Sequence, residues 1–200
     1  LGGPSFAREV TENAPTVVAV AGHDEDTRRR VQEALNTERF RVYTTDDVIG
    51  VEVGGALKNV IAIAAGIADG MNFGHNTRAA IITRGLAELT RMAVKLGGNP
   101  LTLAGLGGMG DLVLTCTGDL SRNRQVGIGL GQGKKLPQIL EELGMVAEGV
   151  MTAKSAHDLS KREGVEMPIA EQVYEILYEE KPPEVAMVDL MTRPLKEERI

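Results

Sequence analysis

The sequence predicts a mainly α-helical protein in which a short β-α-β unit precedes a long all-helical region. A β-branched apolar run at residues 16–21 and an alternating run at residues 40–44 flank a segment with a helical charge pattern. From Val51 onward no convincing strand is found, and apolar residues recur at helical spacing. Because two strands are too few for a stable sheet, we expect residues 1–48 to be the last piece of a larger α/β domain. Residues 49–200 are then expected to form an α-helical domain.

Composition narrows the class of protein. The chain has 42% hydrophobic and 25% charged residues, which is typical of a folded globular protein. Its single cysteine, Cys116, excludes an internal disulfide and indicates a reducing, cytoplasmic setting. The net charge of −6 argues against general nucleic-acid binding, which depends on phosphate neutralisation. The most apolar run, residues 60–68, is half the roughly 18 residues that a spanning helix needs, so no membrane insertion is expected.

Local signals set the limits of the first elements. The strand at residues 16–21 ends at Gly22, and Asp24 is a possible N-cap for the helix that follows, whose pattern is clearest at residues 30–35. Before these elements, Gly3-Pro4-Ser5 indicates a tight turn with Ser5 at a possible helix start.

The second helix of the helical region is predicted from its end signals. Asn76-Thr77 is a candidate cap, and Gly97 is the stop. On its exposed side, Glu88 is expected to pair with Arg84 and Arg91.

Seven further helices are predicted, at residues 101–103, 111–115, 121–130, 137–143, 150–162, 168–179 and 183–191. Three of them open on proline, whose missing N–H costs nothing at that position. Residues 105–110 and 127–133 are expected to be glycine-rich loops, and residues 196–200 a solvated end.

Residues 105–110 match the G-x-G-x-x-G sequence pattern of a dinucleotide-binding loop. That fingerprint should follow a strand and open a β-α-β unit, whereas here it follows a short helix. A loop that brings Asp111 to the centre of the helical domain is the better interpretation.

Lys58 lies on the first long helix of the helical region, which is otherwise made of small and apolar residues and is predicted to be buried. No charge partner exists among its helical neighbours, which are Gly54, Gly55, Ile61 and Ala62. Two interpretations remain open: a lysine that reaches solvent at a helix edge, or a desolvated lysine with a lowered pKa that acts as a general base.

Ser121 is a natural N-cap for a helix that begins with Arg122. A helix N-terminus beside a guanidinium forms a phosphate or carboxylate site. The alternative is a capped helix whose arginines, Arg122 and Arg124, are simply solvated.

Three histidines, His23, His75 and His157, have no acidic or metal-ligating neighbours at useful spacing, so no metal site is expected. Cys116 has no nearby histidine in the sequence and is expected to be a buried small side chain.

Five segments in order along the chain carry a resemblance to a known family: residues 3–7, 52–60, 107–116, 121–123 and 146–149. In these segments the sequence resembles the NAD(P)-dependent sn-glycerol-3-phosphate dehydrogenases of bacterial type. The resemblance implies an all-helical substrate domain similar to the C-terminal domain of 6-phosphogluconate dehydrogenase, preceded by the last β-α-β piece of a Rossmann-type domain.

The resemblance also implies the activity, namely interconversion of dihydroxyacetone phosphate and sn-glycerol 3-phosphate with NADH or NADPH, which supplies glycerol 3-phosphate for phospholipid synthesis. It implies that Lys58 transfers the proton, that Asp111 supports the lysine, and that Thr115 lies beside the substrate. Substrate contacts are implied at Gly3, Ser5, Lys58, Asn59, Asp111, Ser121, Arg122 and Asn123. Contacts to NAD or NADP are implied at Ala7, Arg122, Val146 and Glu148. A cytoplasmic homodimer is the family expectation.

The sequence departs from the family pattern at its start. Family members open with a strand and a G-x-G-x-x-G loop, which are not found before Gly3. We therefore expect the chain to be the C-terminal part of such an enzyme, without activity when isolated. Two alternatives are a related hydroxyacid or sugar-phosphate dehydrogenase and a non-catalytic helical dimerisation module. The presence of both Lys58 and Asp111 weakens the second alternative.

Overall fold

A computed structural model describes residues 1–144, 146–195 and 197–198. The predicted solvated end at residues 196–200 includes residues 196, 199 and 200, which lie outside the described residues. Two strands, β1 (Thr16–Ala21) and β2 (Phe40–Thr45), pair in parallel from Thr16 opposite Phe40 to Ala21 opposite Thr45.

Helix α2 (Glu25–Leu35) connects the strands, which confirms the β-α-β prediction. Asp24 caps this helix by accepting a 2.8 Å hydrogen bond from the Thr27 N–H. A short helix, α1 (Ala7–Thr11), precedes the strands. Gly2 forms an antiparallel bridge to Ala19, so the chain start lies against β1.

The rest of the described chain is helical, which confirms the predicted fold class. Its α-helices are α3 (Val48–Gly70), α4 (Gly74–Lys95), α5 (Pro100–Leu103), α6 (Asp111–Thr117), α7 (Arg122–Gly131), α8 (Leu136–Leu143), α9 (Glu148–Glu163), α10 (Pro168–Tyr178) and α11 (Pro183–Met191). A π-helical turn, Leu106–Gly110, leads directly into α6.

Helix α3 is the centre of the helical region and packs against α4, α5, α6, α7, α9 and α10. Its 23 residues are long and apolar enough to cross a membrane, so the run at residues 60–68 underestimates its apolar length. In the structure 61% of its most apolar window is buried inside the protein. Because it packs against six other α-helices, α3 is the core helix of a folded domain.

Glycines on α3 and α7 bring these two helices into backbone contact. A Cβ atom at Gly66 would lie 2.1 Å from the Arg124 carbonyl oxygen, and one at Gly127 would lie 2.1 Å from the Ile63 carbonyl oxygen. The prediction of a loop at residues 127–133 is therefore wrong up to Gly131, where α7 ends. These glycines serve close helix packing, which local sequence composition does not distinguish from a flexible loop.

The predicted loop at residues 105–110 is also wrong over most of its length, because the π-helical turn occupies it. This turn packs tightly, since a Cβ atom at Gly54 on α3 would lie 2.4 Å from the Gly107 carbonyl oxygen. Its backbone contacts other backbone, and its end places Asp111 at the start of α6.

Helix α4 differs from its prediction at its start and in the role of Glu88. The helix begins at Gly74, and neither Asn76 nor Thr77 caps it. Glu88 is 1% exposed, and its carboxylate accepts hydrogen bonds from the Ile169 N–H (2.7 Å) and the Ala170 N–H (3.1 Å).

The predicted surface pairing of Glu88 is wrong because this carboxylate serves the first turn of α10, 81 residues further along the chain. The first-turn N–H groups of a helix have no partner within the helix, so a buried acceptor there is favourable. Burial raises the pKa of Glu88 to about 7.

Candidate active site

A cavity of about 240 Å³ lies where the chain start meets α3, α6, α7 and the first turn of α9. Most of the predicted site residues line it, namely Gly3, Ser5, Lys58, Asn59, Asp111, Thr115, Ser121, Arg122, Asn123 and Glu148. The lining is completed by Gly55, a helical neighbour of Lys58 in the sequence, and by three residues that were not predicted, Phe6, Leu114 and Leu120. These three apolar residues carry no local signal of a binding role.

Two predicted cofactor contacts are not part of the cavity lining. Ala7 is the exposed first residue of α1, and Val146 is 70% exposed just before α9. Both lie on segments adjacent to the cavity, next to Phe6 and Glu148 respectively.

Lys58 and Asp111 form an ion pair within the cavity, in which the lysine Nζ donates to Asp111 Oδ2. The lysine side chain is 19% exposed and the aspartate side chain 7% exposed. The helical neighbours of Lys58 supply no charge partner, and the partner is Asp111, which lies on another helix. This partner is 53 residues away in the sequence, beyond the reach of helical spacing.

Thr115 lies one turn after Asp111 on α6 and completes this cluster. Its hydroxyl donates to the Asp111 carbonyl oxygen at 2.6 Å and lies 3.3 Å from Asp111 Oδ1. The aspartate is thereby held from two sides, by the threonine hydroxyl and by the lysine. This arrangement fixes the position of the ammonium group in the cavity.

The first turn of α7 forms another wall of the cavity. Ser121 caps the helix, with its Oγ accepting from the Arg124 N–H at 3.3 Å. Asn123 is buried, and its Oδ1 accepts from the Gly149 N–H at 2.8 Å. Within the part of the chain that the structure describes, the exposed Arg122 side chain makes no hydrogen bond or ion pair. An unpaired guanidinium beside a helix N-terminus is suited to a phosphate.

Arg124 is not solvated, which corrects one of the sequence interpretations. Its guanidinium donates to Asp69 Oδ2 at 2.9 Å and to Asp119 Oδ1 at 3.0 Å. Asp69, near the end of the apolar helix α3, was not among the predicted site residues. An acidic side chain that follows a long run of small and apolar residues, as Asp69 does, indicates a buried ion pair.

The chain start is held against β1 and supplies another side of the cavity. Gly3 has a φ of +135°, and a Cβ atom there would lie 3.1 Å from Val18 Cα, so only glycine fits without strain. The Ser5 hydroxyl donates to the Gly3 carbonyl oxygen at 3.1 Å. The predicted helix start at Ser5 is wrong, because α1 begins at Ala7.

Other candidate groups take no part in this cavity. Cys116 is buried on α6, and burial raises the pKa of its thiol to about 12. The His157 ring stacks on Tyr174 with centroids 3.9 Å apart. Among the described residues, no group of three or more His, Cys, Asp or Glu side chains is placed to hold a metal ion.

A larger cleft of about 1380 Å³ lies among α4, α10 and α11. Its lining is largely apolar, and none of the predicted catalytic or binding residues contributes to it. The smaller cavity is the candidate active site because it combines an ammonium group, a buried carboxylate and an unpaired guanidinium.

The donor set of the cavity fits a phosphorylated carbonyl or alcohol and a dinucleotide. Lys58 contributes an ammonium group, and Arg122 contributes a guanidinium that is unpaired among the described residues. The exposed side chains of Arg122 and Glu148, together with the half-buried Phe6, form an edge of the cavity that is open to a cofactor.

Comparisons with known proteins agree with this chemistry. Residues 47–188 match the family model described as NAD-dependent glycerol-3-phosphate dehydrogenase C-terminus. A glycerol-3-phosphate dehydrogenase, NAD(P)+, of Geobacter sp. (strain M21) is 64% identical over 200 residues, which are 100% of this chain and 60% of that protein. The protein of the same name from Myxococcus xanthus (strain DK1622) is 64% identical over 198 residues, 99% of this chain and 59% of that protein.

Solved structures show the same similarity. The crystal structure of glycerol-3-phosphate dehydrogenase from Coxiella burnetii superposes with a TM-score of 0.94 at 45% identity, over 96% of this chain and 59% of that chain. The enzyme from Saccharomyces cerevisiae gives a TM-score of 0.86 at 29% identity, over 96% of this chain and 58% of that chain. The chain thus spans about three-fifths of the length of the relatives that it matches. It belongs to the NAD-dependent glycerol-3-phosphate dehydrogenase family.

Proposed function

We propose that the protein carrying this chain interconverts dihydroxyacetone phosphate and sn-glycerol 3-phosphate with NADH or NADPH. The observation that carries the proposal is the pairing of Lys58 with Asp111 in the same cavity as the unpaired Arg122. The cavity therefore offers a proton donor at one wall and an anion contact at another. Curated relatives that are 60–64% identical bear the name of this activity, which supports the proposal.

Proton transfer is assigned to Lys58. When bound, the nicotinamide cofactor supplies hydride to the C2 carbonyl carbon, or accepts it from the C2 alcohol carbon. In reduction, the Lys58 ammonium donates a proton to the C2 oxygen as the carbonyl becomes a hydroxyl, and in oxidation the neutral amine takes that proton back. Asp111 holds Nζ in place, and Thr115 holds Asp111.

The substrate phosphate is assigned to the first turn of α7. Ser121 and Asn123 flank Arg122 there, and the free N–H groups of the turn add a favourable dipole. Asn59 lies next to Lys58 on α3 and lines the same cavity. Gly3 and Ser5 approach from the chain start.

The cofactor is assigned to the side of the cavity formed by Ala7, Arg122, Val146 and Glu148. We interpret residues 1–48 as the last part of the dinucleotide-binding domain and residues 49–200 as the substrate domain. A cytoplasmic homodimer that supplies glycerol 3-phosphate for phospholipid synthesis completes the proposal.

The test is NADH and NADPH oxidation by the full-length protein, as its gene encodes it, with dihydroxyacetone phosphate as substrate. Lys58→Met is compared with Lys95→Met, which removes an exposed lysine at the end of α4. We expect the wild type and Lys95→Met to turn over at similar rates and Lys58→Met to lose about 10²–10⁴-fold in kcat, as for a positioned acid–base group.

Two outcomes would contradict the proposal. One is turnover of a hydroxyacid by the wild type without turnover of dihydroxyacetone phosphate. The other is a kcat for Lys58→Met close to that of Lys95→Met, which would remove proton transfer from Lys58.

A further inference from the structure

We infer that Arg124 and Asp69 are positioning residues, which set the phosphate-contacting turn of α7 at a fixed place relative to Lys58. Neither side chain lines the cavity. The inference rests on the proposed function for the identity of the substrate, but the ion pair and its location are independent of it.

The pair is buried and uses directional contacts. The side chains of Arg124 and Asp69 are 10% and 8% exposed, and two nitrogens of the guanidinium, Nε and Nη2, each lie 2.9 Å from Asp69 Oδ2. The other carboxylate oxygen, Oδ1, accepts from Arg78 Nε on α4 at 2.7 Å. Asp69 thus binds one arginine on α7 and another on α4, through different carboxylate oxygens.

The two ends of the proposed site are carried by the two helices that this pair connects. Helix α3 bears Lys58 near its middle and Asp69 near its end, and α7 bears Arg122 and Arg124 within one turn. An α-helix is a rigid element, so fixing Arg124 against Asp69 fixes Arg122 relative to Lys58. The close approach of Gly66 to the Arg124 carbonyl oxygen holds the same turn from the backbone side.

Arg124 also holds the segment that leads into the phosphate-contacting turn. Its Nη1 donates to Asp119 Oδ1 at 3.0 Å, and the Gln125 side chain donates to the Asp119 carbonyl oxygen at 3.2 Å. Asp119 lies two residues before Ser121, the N-cap of α7. One guanidinium therefore links α3, α7 and the connection from α6, which carries Asp111.

A buried ion pair such as Arg124–Asp69 is suited to fix the relative position of its two helices rather than to add net stability. A buried ion pair loses much of its attraction to desolvation and is replaceable by apolar residues at little cost in stability. The planar guanidinium fork, in contrast, fixes the angle and distance between its partners. A displacement of about 1 Å at a substrate-positioning group is able to cost about 100-fold in rate.

The test compares Arg124→Lys with Arg78→Lys in the full-length protein. Both variants keep a positive charge beside Asp69 and remove the planar fork, but Arg78 lies on α4, away from the phosphate-contacting turn. For each variant, kcat/KM is measured with dihydroxyacetone phosphate and with dihydroxyacetone, which lacks only the phosphate. The dissociation constant of inorganic phosphate is measured by calorimetry as a readout that does not depend on turnover.

We expect Arg124→Lys to lower the ratio of kcat/KM for dihydroxyacetone phosphate to kcat/KM for dihydroxyacetone about 10–100-fold. We also expect it to weaken phosphate binding about 10-fold. Arg78→Lys is expected to change both quantities less than about twofold, since its helix carries no phosphate contact. If Arg124→Lys does not fold, Asp119→Asn is the second variant, because its exposed side chain tolerates substitution. It is expected to lower the ratio about two- to fivefold through the loosened connection to Ser121.

An unchanged ratio and an unchanged phosphate affinity in Arg124→Lys, or in Asp119→Asn where that variant replaces it, would overturn the inference. Equal losses in Arg124→Lys and Arg78→Lys would also overturn it, because they would show a merely structural role. Weaker phosphate binding in Arg124→Lys, together with a wild type that does not reduce dihydroxyacetone phosphate, would support the inference and contradict the proposed function.

Discussion

Helix α3 carries two ion pairs of similar composition that differ in what surrounds them. Lys58 and Asp111 meet beside a cavity, where the ammonium group has room for a further partner. Asp69 lies instead between Arg78 and Arg124, and both of its oxygens are used. The comparison teaches that charge and burial alone do not identify a reactive group. The pair that we propose to be reactive is the one that lies next to open space.

The largest expected effect is on stability, when the aspartate of each ion pair is replaced by asparagine. Asp69→Asn leaves two guanidinium groups without their shared anion, so the free energy of unfolding should fall by about 3–5 kcal/mol. Asp111→Asn should cost less stability, about 1–2 kcal/mol, because Lys58 is 19% exposed beside an open cavity whereas Arg124 is 10% exposed. Urea unfolding of the full-length variants measures both values.

The two variants should rank in the reverse order when their losses of kcat are compared. Asp111→Asn should lower kcat more than Asp69→Asn does, since Asp111 contacts the proton donor directly. If Asp111→Asn costs more stability than Asp69→Asn while leaving kcat unchanged, the distinction between an open pair and a closed pair is wrong.

The next largest expected effect is the pH dependence of stability that arises from a third buried carboxylate, that of Glu88. Glu88 is held by two backbone N–H groups, whereas Asp69 has two arginines. Burial raises the pKa of Glu88 from 4.5 to about 7, so between these pH values the folded protein binds a proton that the unfolded chain does not. Stability from this group is therefore present below about pH 4.5 and is lost as the pH rises to about 7, by about 3 kcal/mol in all.

The measurement is the free energy of unfolding of the wild type and Glu88→Gln at several pH values from 5 to 8. Glutamine has no titrating carboxyl, so the difference between the two proteins should change in favour of the variant as the pH rises. Parallel profiles across this range would show that Glu88 does not titrate with the raised pKa.

The smallest expected effects on stability concern two glycines of α3. Gly66 is packed against α7, whereas Gly55 faces open space. Gly66→Ala places a methyl group against the α7 backbone and should cost about 1–3 kcal/mol of stability. Gly55→Ala is the matched control, because no atom lies within 4 Å of the new methyl group. It should stabilise the helix by about 0.5–1 kcal/mol. Thermal unfolding compares the two, and equal shifts would contradict the close packing of α3 on α7.

Sequence reasoning predicted the elements of this fold well because their signals are local. Asp24, Ser121 and Gly97 mark helix ends through their own backbone and side-chain chemistry. It failed where contacts join distant residues. The arginines around Asp69 and the role of Glu88 depend on helix packing, which helical spacing within one segment does not report. Asp111 was implied beside Lys58 by the family resemblance and not by helical spacing.

The candidate site was accessible mainly through the family resemblance. The residues alone left Lys58 and Arg122 with two interpretations each. Lys58 is distinguished in the structure by its pairing with Asp111, and Arg122 by its unpaired guanidinium beside the capped start of α7. The glycine-rich composition of residues 127–133 predicted a loop, whereas Gly127 and Gly131 lie within a helix and serve its packing.

The most direct test of the central claim is a crystal structure of the full-length protein with sn-glycerol 3-phosphate and NAD+. The account predicts the phosphate within hydrogen-bonding distance of Arg122 and Asn123, and the C2 oxygen within hydrogen-bonding distance of Lys58 Nζ. A substrate bound in the larger cleft among α4, α10 and α11, with the cavity beside Lys58 empty, would contradict it.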